Sequence, residues 1–214
     1  MNIRKIQKRT FYNAEKRNKA DNYAYLNENF CKKGQTVLVG DSITEMYNHT
    51  ELFEEYTQKT GTSVYNRGIS GDTSDRLLER FESNVLNIEP KNIVMLIGTN
   101  DLGVGTGSDF PAENIEKIIT MIQNSKCCAN IILLAVYPIN SKMQKNTRRK
   151  NKDIYELNLK LGRLCKRKNV DFIDLTQYLS DEKGELDTKY TYDGLHLNAK
   201  AFNIVTNKIL PYLI

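Results

Sequence analysis

Residues 37–47 read VLVGDSITEMY, and the fold turns on how this stretch is understood. Val37, Leu38 and Val39 form a short apolar run that stops at Gly40, and Asp41 and Ser42 follow at once. The run has the composition of a buried strand, and the residues after Ser42 are compatible with a helix. A strand that ends on glycine and delivers an acid and a hydroxyl to its own tip is the pattern to look for elsewhere in the chain.

It recurs. Further apolar runs stand at 63–66 (SVYN), 92–98 (NIVMLIG), 130–138 (NIILLAVYP) and 170–175 (VDFIDL). They are rich in Val and Ile and mostly do not alternate with polar residues, as expected when both faces of a sheet are covered. Between them lie amphipathic stretches that predict helices over about 5–28, 50–59, 74–87, 111–125, 148–168 and 198–210. Pro111 and Glu113 fall early in the fourth of these, where both favour helix initiation. Strands alternating with helices imply crossover units and a parallel sheet. The expected architecture is a three-layer α/β/α sandwich, flavodoxin-like, with five parallel strands.

In such sheets ligands sit beyond the carboxyl ends of the strands, so the residues just after each run matter most. After the first come Gly40, Asp41 and Ser42; after the second, Gly68, Gly71 and Asp72; after the third, Asn100 and Asp101; and Asp193 and His196 precede the last helix. The chain has two histidines. His49 lies between a polar turn and a helix and reads as a surface or capping residue, which leaves His196 as the candidate imidazole base. Asp193, three residues earlier, can reach Nδ1 of that ring and leave Nε2 free to accept a proton. Ser42 is either the cap of the helix that follows it or a nucleophile activated by His196. The backbone amides of Ser42 and Gly71 and the side-chain NH₂ of Asn100 could serve as oxyanion donors, although turn formation alone would also account for Gly71 and Asn100.

Other patterns carry less. GDSIT lacks the second glycine of an α/β-hydrolase elbow. GVGTGS at 103–108 departs from a dinucleotide fingerprint at its last position, lies well downstream of the strand, and reads as a flexible loop beside the site. Cys31, Cys127, Cys128 and Cys165 show no metal-ligand spacing and read as reduced structural thiols.

GDS at 40–42, the glycine of NRGISGD at 66–72, GTND at 98–101 and DGLH at 193–196 occur in the order of four signature blocks. Together they resemble the SGNH hydrolases, also called GDSL esterases and lipases, and among them the platelet-activating-factor acetylhydrolase-like bacterial acylhydrolases. The similarity spans about 36–212 and leaves the N-terminal helix outside. The resemblance implies Ser42 as nucleophile, His196 as base, Asp193 as its orienting partner, and Ser42, Gly71 and Asn100 as oxyanion donors. It also implies a serine esterase that works through an acyl-enzyme without metal or cofactor.

The chain of 214 residues, 40% hydrophobic and 27% charged, can bury one core covering roughly 70% of its extended surface, and is expected to form one domain. The N-terminus shows no apolar signal segment and no run reaches membrane-span length, so a cytoplasmic protein is expected. The net charge of +5 concentrates in residues 3–9 (IRKIQKR) and 142–152 (KMQKNTRRKNK). Lys145, Arg148 and Arg149, with Asp41 and Asp72, are candidate substrate-binding residues. The substrate expected is a small ester, an acylated carbohydrate or lipid; nucleic acid is not expected, because no aromatics interleave with the second basic run. Two other readings stand beside this one. Asp41, Asp72, Asp101 and Asp193 could hold a divalent metal for phosphoester hydrolysis, or the basic runs, including Arg4 to Arg9, could bind anions without catalysis. The N-terminal helix could cap a sheet edge or build a homodimer.

Overall fold

A computed structural model describes residues 3–145 and 147–213, with side chains from residue 14 onward. In chain order its elements are α1 (Ile3–Asn29), β1 (Thr36–Gly40), α2 (Ser42–Glu45), α3 (His49–Leu52), α4 (Glu54–Thr60), β2 (Val64–Gly68) and α5 (Ser74–Asn84). There follow β3 (Asn92–Leu96), α6 (Thr99–Val104), α7 (Asp109–Asn124), β4 (Asn130–Leu134), α8 (Asn151–Lys168), β5 (Asp171–Ile173), α9 (Thr176–Leu179) and α10 (Ala199–Ile209). The strands form one parallel sheet in the order β2-β1-β3-β4-β5. This is the expected five-stranded sandwich.

Strand order dictates where the helices lie. From β1 the chain moves to one neighbour, β2, and then back past β1 to β3 and onward. Right-handed crossovers that travel in opposite directions along a sheet must place their helices on opposite faces. Helices α2 to α4 therefore cover one face, joined by α10, which packs against α3, while α5, α7 and α8 pack side by side on the other. Every residue of β1 and β3 is buried, in accord with their unbroken apolar composition. The reversal of direction occurs at β1, so the crevice where a ligand can enter lies beyond the carboxyl end of that strand, at Ser42.

The strand ends are level: Gly40 pairs in register with Gly68 of β2 and with Leu96 of β3. Helix α2 turns back tightly over this edge, and a Cβ on Gly68 would lie 2.3 Å from the Glu45 amide nitrogen, which requires glycine there. Asp41, rather than Ser42, caps α2 by accepting the Ile43 N–H at 3.0 Å.

Several predicted elements are shorter or divided. The helix expected at 50–59 is two, α3 and α4, separated at the buried Phe53. The run at 130–138 pairs only as far as Leu134. Beyond it, the Val136 N–H and C=O are taken at 2.8 and 2.9 Å by the side-chain amide of Asn158, so a side chain on α8 replaces the sheet ladder. The glycine-rich stretch is partly helical: Gly103 lies within α6, and Gly105 (φ +90°) ends it.

Helix α1 packs on α5 and reaches the end of the edge strand β2. Tyr23 donates to the Gly68 carbonyl at 3.1 Å, and Arg67 donates through Nε and Nη2 to Asn27 Oδ1 at 3.1 and 2.7 Å. Asn27 Nδ2 and Asn84 Nδ2 tie the helix to α5 through the Ser83 and Ala20 carbonyls. These bonds join the helix to the end of the edge strand and to α5. The four cysteines are unpaired.

Candidate active site

The segments that follow β1, β2 and β3 meet the segment preceding α10. Ser42 Oγ lies 2.8 Å from His196 Nε2, and His196 Nδ1 lies 2.6 Å from Asp193 Oδ2. An ionised carboxylate only accepts, so Nδ1 carries the proton and Nε2 is left to accept from the Ser42 hydroxyl. Asp193 is itself held by a turn: its Oδ1 accepts the N–H groups of Leu195 and His196 at 2.9 and 2.8 Å. Burial pushes its pKa up, but the His196 ring and these two amides outweigh that and hold it below the usual carboxylate range.

Gly71 sits at φ +71°, and its N–H has no hydrogen-bond acceptor among the described residues. Asn100 opens the first turn of α6, and its Nδ2 donates to the Asp72 carbonyl at 3.0 Å, which brings the amide beside the Gly71–Asp72 turn. One hydrogen of that NH₂ remains for another acceptor. Residues 144 and 148 border the same edge, with Gln144 Nε2 donating to the Asp193 carbonyl at 2.9 Å and Arg148 donating to the Val104 carbonyl at 3.2 Å.

Three residues expected to bind substrate are placed otherwise. Asp41 is fully buried as the cap of α2 and offers no surface to a ligand. Asp72 is buried in ion pairs with Arg80 (2.7 Å) and Lys16 (3.6 Å). Arg149 turns inward: Nε donates to the Thr99 carbonyl at 2.8 Å, Nη2 to Asn100 Oδ1 at 2.7 Å and Nη1 to Thr147 Oγ1 at 3.1 Å. Lys145 and Arg148 remain exposed. The side chains of Arg4 to Arg9 lie outside the described residues.

The carboxylates considered as metal ligands have separate occupations. Asp101 accepts the Ser74 N–H with both oxygens, at 3.1 and 3.0 Å, and the Ser74 hydroxyl at 2.6 Å, starting α5; Asp193 holds His196. Among the described residues no three Asp, Glu, His or Cys side chains converge as a metal site.

Two contributors were not legible in the sequence. Arg80, on α5, joins Asp72 to the β1 terminus by donating to the Gly40 carbonyl at 3.1 Å, so one buried guanidinium ties together the segments bearing Ser42 and Gly71. Tyr192 lies nearly parallel to the His196 ring at 6.2 Å, with its hydroxyl 3.2 Å from Met46 Sδ, and is exposed beside that ring. An aromatic residue immediately before the D-x-x-H block was the one available signal for it.

Burial raises the Asp41 carboxyl to about 7, against a lowering by the Ile43 N–H. An unfolded Asp ionises near 4, so unfolding releases a proton between about pH 4 and 7. Stability contributed at this position therefore falls as pH rises through that window, by about 4 kcal/mol in full, and is level above it. Asp41→Asn keeps the cap and removes the penalty. In denaturant titrations the variant is expected to gain on wild type from about pH 4 to pH 7 and to hold a constant advantage above that, whereas a pH-independent difference would contradict the assignment.

The family model for the GDSL-like lipase/acylhydrolase family matches residues 38–203. The chain belongs to that family. It is a carboxylic ester hydrolase, in agreement with its acetylhydrolase relatives. Platelet-activating factor acetylhydrolase IB subunit alpha2 of Gallus gallus is 30% identical over 172 residues, covering 80% of this chain and 72% of that protein. An N-acylneuraminate cytidylyltransferase of Escherichia coli is 30% identical over 209 residues, covering 94% of this chain but 47% of its own length, so the chain spans about half of that relative. A solved structure from Streptococcus pneumonia, described as a platelet activating factor, superimposes with a TM-score of 0.89 at 28% identity, each chain covered in full. That full coverage includes α1, which lies outside the family model. No described helix is long and apolar enough to cross a membrane.

Proposed function

We propose that the chain removes short acyl groups from ester substrates through an acyl-enzyme on Ser42. The observation that carries this is the unbroken hydrogen-bonded line Ser42 Oγ to His196 Nε2, His196 Nδ1 to Asp193 Oδ2. Ser42 Oγ attacks the ester carbonyl while Nε2 takes its proton. The resulting oxyanion is held by the Ser42 and Gly71 amides and by Asn100 Nδ2. Nε2–H returns the proton to the departing alcohol. Water, deprotonated by Nε2, then attacks the acyl carbon, and Ser42 leaves with that proton as the carboxylic acid is released. No step requires a metal.

Two observations favour a small acyl group. Tyr192 and Met46 stand together next to the His196 ring, and the chicken relative is named for acetyl hydrolysis. For the alcohol portion, the exposed Lys145 and Arg148 on the loop flanking His196 and α6 favour a substrate bearing negative charge. The name of the E. coli relative refers to an N-acylneuraminate, an acylated sugar acid, which is of that class.

The test is a series of p-nitrophenyl esters of rising chain length, assayed with and without EDTA. kcat/KM should be greatest for acetate or propionate and unchanged by EDTA; a maximum at long chains would overturn the short-acyl reading, and loss in EDTA would revive metal-assisted hydrolysis. In the double variant Lys145→Gln/Arg148→Gln, KM for an acetylated sugar acid should rise several-fold at low salt while KM for p-nitrophenyl acetate stays constant. Equal changes for both would remove the rim charges from substrate selection.

A further inference from the structure

We propose that Arg149 is a positioning residue for Asn100: its guanidinium fixes the orientation of the side-chain amide and so aims the NH₂ at the reacting carbonyl. This rests on the reading of Asn100 as an oxyanion donor. An asparagine amide can be turned over about its terminal bond, and only one orientation presents its donors to the site. Arg149 Nη2 donates to Oδ1 at 2.7 Å, and the Asp72 carbonyl accepts from Nδ2 at 3.0 Å. A cation cannot accept a hydrogen bond and a carbonyl cannot donate one, so the two contacts read opposite ends of the amide and exclude the reversed arrangement. The contact to a charged donor also polarises the amide and strengthens its remaining N–H as a donor.

The guanidinium is held on its own account. Nε binds the Thr99 carbonyl at 2.8 Å, one residue before Asn100, and Nη1 binds Thr147 Oγ1 at 3.1 Å. Gly103, one turn along α6, leaves the space: a Cβ there would lie 2.7 Å from both Cζ and Nη2 of Arg149. Its neighbour Arg148 stays exposed on the rim, so adjacent arginines divide between anchoring the donor and facing the substrate.

The experiment compares Asn100→Ala, Arg149→Ala and the double variant on p-nitrophenyl acetate, a neutral ester that has no use for a substrate-binding cation. Asn100→Ala should lower kcat by roughly 10² to 10³. Arg149→Ala should lower kcat by about 10 to 10², the scale of an ångström-sized misplacement, with KM nearly constant. The double variant should be no slower than Asn100→Ala, and added guanidinium should restore part of the rate to Arg149→Ala but none to the double variant. Gly103→Ala keeps the arginine and, as an alanine within a helix, should not weaken α6. Its kcat should nevertheless fall because the guanidinium is displaced, and this variant carries the test if Arg149→Ala does not fold. Multiplying losses in the double variant, or wild-type kcat in Gly103→Ala and Arg149→Ala, would overturn the proposal. Wild-type kcat in Asn100→Ala would instead overturn the donor role of Asn100 itself.

Discussion

Replacing Ser42 with alanine is expected to lower kcat on p-nitrophenyl acetate by about 10⁴ to 10⁶, with the fold intact. Among the described residues the Ser42 hydroxyl is the group hydrogen-bonded to His196 Nε2, at 2.8 Å, and in the proposed mechanism it forms the covalent intermediate. Its removal leaves the amide donors to bind a carbonyl without attacking it. His196→Ala should cost about the same, because the base has value only through the nucleophile, and the double variant should be no slower than either single one. Among the described residues the Ser42 side chain makes no other hydrogen bond, and Asp41 supplies the cap of α2, so neither substitution should disturb the helix.

Asp193→Asn is expected to lower kcat by about 10⁴ while leaving the site in place. The direction comes from the turn that holds the carboxylate. Oδ1 accepts the Leu195 and His196 N–H groups, and an asparagine must keep its oxygen there. The NH₂ would then face His196 Nδ1 in place of the Oδ2 that now lies 2.6 Å away. A donor facing Nδ1 forces the proton onto Nε2, the nitrogen that receives the Ser42 proton in the proposed mechanism. The variant should fold with wild-type stability near neutral pH and fail at the chemical step, a combination measurable as a collapse of kcat without a matching change in melting temperature.

Much of this arrangement was legible in the sequence because parallel sheets make it so. Strands covered on both faces are continuous apolar runs, and the reversal of strand order at β1 gathers the residues after each run at one edge. Ser42, Gly71 and Asn100 could therefore be grouped before any contact was known; His196 follows no strand and joined them as the remaining histidine, and the D-x-x-H spacing suffices for Asp193 to reach the ring. Side-chain partnerships across distant segments left no such periodic trace. Arg149 and Arg148 are neighbours in a run of like charge, and only Gly103 behind the first separates an anchor from a rim cation. Asp41 and Asp72 stand at the right edge but face inward, to the Ile43 amide and to Arg80 with Lys16, because burial of a carboxylate beside a strand end demands a partner. The limits of β4 were hidden for the same reason, since the side chain of Asn158 takes over the ladder at Val136.

The most direct measurement is rapid acid quenching of the enzyme during turnover of p-nitrophenyl acetate, with digestion and mass spectrometry of the product. A single acetyl group should appear on the peptide containing Ser42 within the first turnover and disappear once substrate is exhausted. An unmodified Ser42 peptide throughout turnover, or an acetyl group carried by another residue, would contradict catalysis through this serine.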